Sequence, residues 1–143
     1  EPVLERLATA ARLAREVGDE TQARRFEVFA SFVVTVRHAI SYQAQLDRVR
    51  TNGAVPEVNP VPGTRSSWDR QLMLETVRAE LDNTAWLMEL LRPDPAVFLD
   101  LAATPAEEDI RRLGPDILAQ LQRKLDITTA HWQDYRRLFT TPN

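Results

Sequence analysis

From Phe26 to Val36 the chain reads Phe-Glu-Val-Phe-Ala-Ser-Phe-Val-Val-Thr-Val, apolar on nearly every side of a helix. A surface helix keeps one polar face. One that is apolar around most of its circumference sits in the middle and packs on several neighbours. Phe26, Phe29, Val33, Val36 and Ile40 carry the pattern, and Tyr42, Leu46 and Val49 continue it. The spacing predicts one helix from Thr21 to Thr51, roughly 45 Å long, with the other helices arranged around it.

Upstream, Val3, Leu7, Ala11, Ala14 and Val17 share one face of a helix over residues 2–17, with Pro2 suited to its first turn. This face is rich in alanine, which permits close packing. Gly18 ends the helix and Asp19 caps the next, where Glu20 and Arg24 are spaced as an i,i+4 pair. So short a turn makes the two helices antiparallel neighbours.

Downstream, Leu74, Val77, Leu81, Thr84, Met88 and Leu91 repeat in steps of three and four, after a start near Ser66 or Ser67. Arg92-Pro93 stops that helix. Asp94-Pro95 then opens a short helix with Val97, Phe98 and Leu101, and Thr104-Pro105-Ala106-Glu107 is a capping box for a second. After Gly114-Pro115, a last seam runs through Leu118, Leu121, Leu125, Thr128, Trp132, Tyr135 and Phe139. Gly18, Gly53, Gly63 and Gly114 all fall between helical patterns, and Gly114 is expected to need φ > 0. No stretch alternates with period two. The expected fold is all-α: four main helices bundled around a long central one, with two short helices before the last. Residues 1–143 are expected to form a single domain, either free-standing or cut from a longer chain.

Residues 52–67 interrupt this pattern. Pro56, Pro60 and Pro62 stiffen the segment towards extended backbone. A loop longer than about 12–15 residues is unusual in a compact domain and often functional. The plainer reading is a strap along the bundle. If the segment is a site, Asn59 and Arg65 are its candidate contacts.

Composition narrows the chemistry. A net charge of -3 leaves no global attraction to nucleic acid or to an anionic membrane. No apolar run approaches the roughly 20 residues that span a bilayer. The absence of cysteine excludes disulfides and thiolate catalysis and leaves the compartment open, with the cytoplasm as default. Lys124 is the only lysine among 18 basic side chains, which reads as codon bias. A di-iron bundle needs Glu-x-x-His on two helices, but threonine stands three residues before His38 and before His131. Two histidines cannot supply a three-histidine site, so no metal ligand and no cofactor is expected. Nucleophile elbows and phosphate loops are also missing. Glu107, Glu108 and Asp109 suit the start of a helix better than acid–base work.

Charge is distributed unevenly. Segment 94–116 carries six acidic residues against two basic ones, whereas segment 37–70 carries five basic against three acidic. Opposed patches steer partners or attract each other within a fold. Of the three tryptophans, Trp132 lies on the last seam and reads as core. Trp68 and Trp86 lie off the seams and are candidate contacts for a ligand or partner.

Two stretches carry a resemblance. One is Arg78-Ala79-Glu80-Leu81-Asp82-Asn83-Thr84 with Leu87, Leu90 and Leu91. The other is Gly114-Pro115-Asp116-Ile117-Leu118, continuing through Leu121 and Lys124 to His131-Trp132-Gln133-Asp134-Tyr135. Together they resemble the helical region that follows the barrel in some bacterial glycoside-hydrolase-like proteins. There the catalytic carboxylates belong to the barrel, so no catalytic residue carries over. The resemblance implies a non-catalytic accessory domain, packed against a catalytic domain or protein partner, or against a second copy of itself. The alternative is a free-standing bundle that holds a small apolar or carbohydrate ligand between its helices.

Overall fold

A computed structural model describes residues 2–51, 65–109 and 112–139. The fold is all-α. Helix α1 spans Pro2–Glu16, α2 Glu20–Thr51, α3 Arg65–Leu91, α4 Pro95–Phe98, α5 Ile117–Ala130 and α6 Trp132–Phe139, with one 3-10 turn at Pro105–Glu107. Helix α2 has 32 residues, about 48 Å of helix.

The α1–α2 corner forms through its predicted residues. Gly18 takes φ +82°. The Asp19 N–H bonds Ala14 O at 2.9 Å and the Gly18 N–H bonds Arg15 O at 3.0 Å, which together make a Schellman turn. Asp19 Oδ1 accepts from the Gln22 N–H at 2.9 Å. Ala11, Ala14 and Ala23 are buried against one another with Phe26 beside them, the close contact that alanine allows. Glu20 does not meet Arg24. It meets Arg15 at 3.2 Å, and Arg15 also bonds Glu27 at 2.7 Å. Arg24 instead lies over the Phe98 ring, and Arg25 donates twice to Val97 O, fastening α4 to α2.

Helix α2 is not fully enclosed. It packs on α1, α3 and α4, whereas α5 and α6 lie chiefly against α3. The centre is therefore shared by the α2–α3 pair. Its main core gathers Val28, Leu87, Leu90, Leu91 and Ile117, with Phe32, Phe98, Leu118 and Leu121 around them. Phe29, Val36 and Ile40 stay exposed, as do Val3 and Leu13 of α1 and Val17 just after it. Arg15–Glu27 closes one flank of the α1–α2 pair, and helical periodicity puts these six residues on the opposite side.

Three local expectations are corrected. The Thr104 capping box does not start an α-helix: Thr104 makes no side-chain cap bond, and only a 3-10 turn follows. The chain is occupied instead by a parallel bridge between Leu101 and Leu113, with Ala102 N–H to Leu113 O at 2.8 Å. Gly114 does not take a positive φ; among the described residues only Gly18 does. Gly114 is crowded rather than twisted, because a Cβ there would stand 2.8 Å from Asp116 Oδ1 and 2.9 Å from Glu108 Oε2. The last seam is two helices, broken at His131, whose N–H bonds Ile127 O and Thr129 O. No described helix is long and apolar enough to cross a membrane.

Candidate functional site

Halfway along the α2–α3 contact the packing turns polar. Ser31 and Thr84 are fully buried and Asn83 nearly so. Ser31 Oγ donates to Asn83 Oδ1 at 3.1 Å, and Asn83 Nδ2 donates to Ser31 O at 3.1 Å and to Thr35 Oγ1 at 3.0 Å. The Thr35 hydroxyl then donates to Glu80 Oε1 at 2.8 Å. The Thr84 hydroxyl donates to Glu80 O at 2.7 Å, so each buried polar side chain of this network finds a partner.

Glu80 is the end of this chain of bonds. Its side chain is only 17% exposed. His38 Nδ1 meets Oε2 at 2.7 Å, and Lys124 Nζ bonds Oε1 from α5. Burial pushes the carboxyl towards its neutral form, but the bonds from Lys124, His38 and Thr35 outweigh it. The net effect holds Glu80 below the usual carboxylate range. Donation to Glu80 also fixes the His38 ring, so that Nε2 is the nitrogen left to act. Nε2 has no hydrogen-bond partner among the described residues.

These residues line a cavity of about 350 Å3 between α2, α3, α5 and α6. Ala39, Val77 and Leu81 give it apolar walls, Thr76 and Thr128 add hydroxyls, and Tyr42 and Tyr135 complete it. Burial raises the Tyr42 phenol above its ordinary pKa, and neighbouring Tyr135 adds to the shift, so the ring stays neutral. The volume falls within the range of small-molecule pockets. The chain has one lysine, two tyrosines and two histidines. The lysine, both tyrosines and one of the histidines line this single cavity.

Set against known proteins, the chain matches no protein-family model, no curated protein and no solved structure.

The residues singled out in the sequence lie elsewhere. Trp68 and Trp86 are exposed, at 68% and 42%, but neither lines the cavity. Trp132, expected in the core, is only half-buried. Arg65 opens α3, with its side chain outside the description, and Asn59 lies outside the described residues. The charged segments pair internally: Arg48 with Asp69 at 3.5 Å, and Asp109 with Arg112 at 3.8 Å. His131 meets Asp134 at 3.0 Å on the surface. Among the described residues no three or more histidine, cysteine, aspartate or glutamate side chains are grouped so that they could hold a metal ion. Lys124, read from the sequence as codon bias, lines the cavity. The two stretches behind the resemblance do meet here, Glu80 and Leu81 from one facing Lys124 and Tyr135 from the other.

Proposed function

We propose that this chain is a helical bundle that binds a small molecule in the cavity between α2, α3, α5 and α6. The observation that carries the reading is the convergence of the rare polar side chains on one space with apolar walls. Small-molecule sites combine an apolar surround with a few placed polar groups. The tyrosine rings suit a flat apolar body or the face of a sugar. With only two tyrosines, ring-proton NMR reports on the site directly. Titration with benzamide or glucose is expected to shift the Tyr42 and Tyr135 signals. Ala39→Trp, a substitution at an exposed position on the cavity wall, is expected to abolish the shifts while the circular dichroism stays unchanged. Shifts that survive Ala39→Trp unaltered would place binding elsewhere.

A second reading has support of its own. The exposed apolar residues of α1 and α2 suit an accessory domain that packs against a catalytic domain, as the resemblance to glycoside-hydrolase-like proteins implies. Both readings hold together if the bundle contributes a binding site beside a catalytic domain.

A further inference from the structure

Glu80 is the one carboxylate among the described residues that line the cavity, and four side chains, Thr35, His38, Thr84 and Lys124, already donate to it. Lys124 carries three N–H donors, one of which Glu80 takes. Its side chain is 38% exposed, so the rest of the ammonium is open to an incoming group. His38 and Thr128 belong to the same lining.

We propose that the cavity takes a small organic anion, a carboxylate on an apolar ring. Its negative group sits on Lys124 Nζ, and its ring lies against Tyr42, Tyr135, Val77 and Leu81. The proposal rests on the small-molecule reading above and adds the charge of the ligand to it. Counting donors supports it: Glu80 already accepts from four side chains, and two N–H groups of Lys124 remain for an incoming anion. Apolar walls exclude water and make the charge of the ligand decisive, because an ion pair strengthens as the local dielectric falls.

The chain carries its own probe, since Lys124 is the only lysine. Reductive methylation with 13C labels that amine and the chain N-terminus, and carbon NMR resolves the two. The test compares benzoate with benzamide, which share a ring and differ in charge, and adds inorganic phosphate as an anion without a ring. Benzoate is expected to shift the Lys124 methyl signal and to bind at least tenfold more tightly than benzamide. Lys124→Met, which keeps the alkyl stem, should remove the preference for benzoate. Lys124→Arg should restore part of it.

Equal affinity for benzoate and benzamide would overturn the anion proposal and leave the small-molecule reading standing. No response of Lys124, Tyr42 or Tyr135 to any of the three would remove that reading as well. Phosphate binding as tightly as benzoate would overturn the role of the ring. The wild-type titrations decide these points even if the Lys124 variants fail to fold.

Discussion

Two glycines differ in why they are glycine. Gly18 has φ +82°, and a Cβ there would meet nothing within 4 Å. Gly114 has ordinary φ, but its Cβ would press on the ends of Asp116, Glu108 and Gln120. Those ends are flexible and can give way. Gly18→Ala should therefore cost about 1–2 kcal/mol, from the left-handed backbone alone. Gly114→Ala should stay within about 0.5 kcal/mol. Chemical denaturation of the two variants checks the order, and equal costs would contradict it. Glu80 is the other residue with a distinctive energy. Its lowered pKa means that the folded state favours the carboxylate, so the stabilisation is fully present above the ordinary value of 4.5. It is lost as pH falls through the lowered folded value. Glu80→Gln should destabilise the protein by about 1–3 kcal/mol at pH 7, because Lys124 and His38 lose their acceptor. The variant should also lose less stability than wild type between pH 5 and pH 3. Parallel acid-denaturation curves would show that the cluster does not hold the charge.

Start signals work only where the following residues can continue a helix. Asp94-Pro95 does open α4, with Asp94 Oδ1 accepting from the Ala96 N–H at 3.0 Å. Thr104-Pro105-Ala106-Glu107 has the same local grammar and fails, because residues 101 and 113 are joined by backbone bonds that hold the chain extended. Asp94→Ala should thus cost about 1 kcal/mol, and Thr104→Ala less than about 0.5 kcal/mol, by thermal melts of the two variants. The helices themselves were legible: α1, α2 and α3 follow their apolar spacing, and Gly18 marks the first corner. Which face of α3 meets α2 was not. The predicted seam borders the cavity at Val77 and Leu81, whereas polar contacts to α2 come from Glu80 and Asn83. Polar residues in a contact carry no hydrophobic period, so the candidate site was hidden in the positions that periodicity discards.

At the scale of the molecule, the long apolar helix has fewer covers than its sequence implies. Helix α1 lies on one side, α3 on another, and Phe29, Val36 and Ile40 are left open. Replacing Val36 and Ile40 by glutamate should leave stability within about 0.5 kcal/mol per site. It should also lower the signal of a dye that reports exposed apolar surface. A drop of several degrees in melting temperature would mean that these residues are covered in the intact chain. The pattern named the right helix as apolar on most sides. It could not say that α5 and α6 would settle against α3, because the turn at His131 and the bridge at Leu101–Leu113 decide where the chain goes next.

The break at His131 has a kinetic meaning. Tyr135 closes the cavity from α6, which has eight residues, too few for a helix to persist alone in water. That segment can come away by local unfolding while the α2–α3 pair stays whole. Backbone amides of residues 132–139 should therefore exchange with deuterium orders of magnitude faster than those around Val28 and Leu87. Exchange of both sets at one rate would mean that the cavity opens only when the whole bundle does.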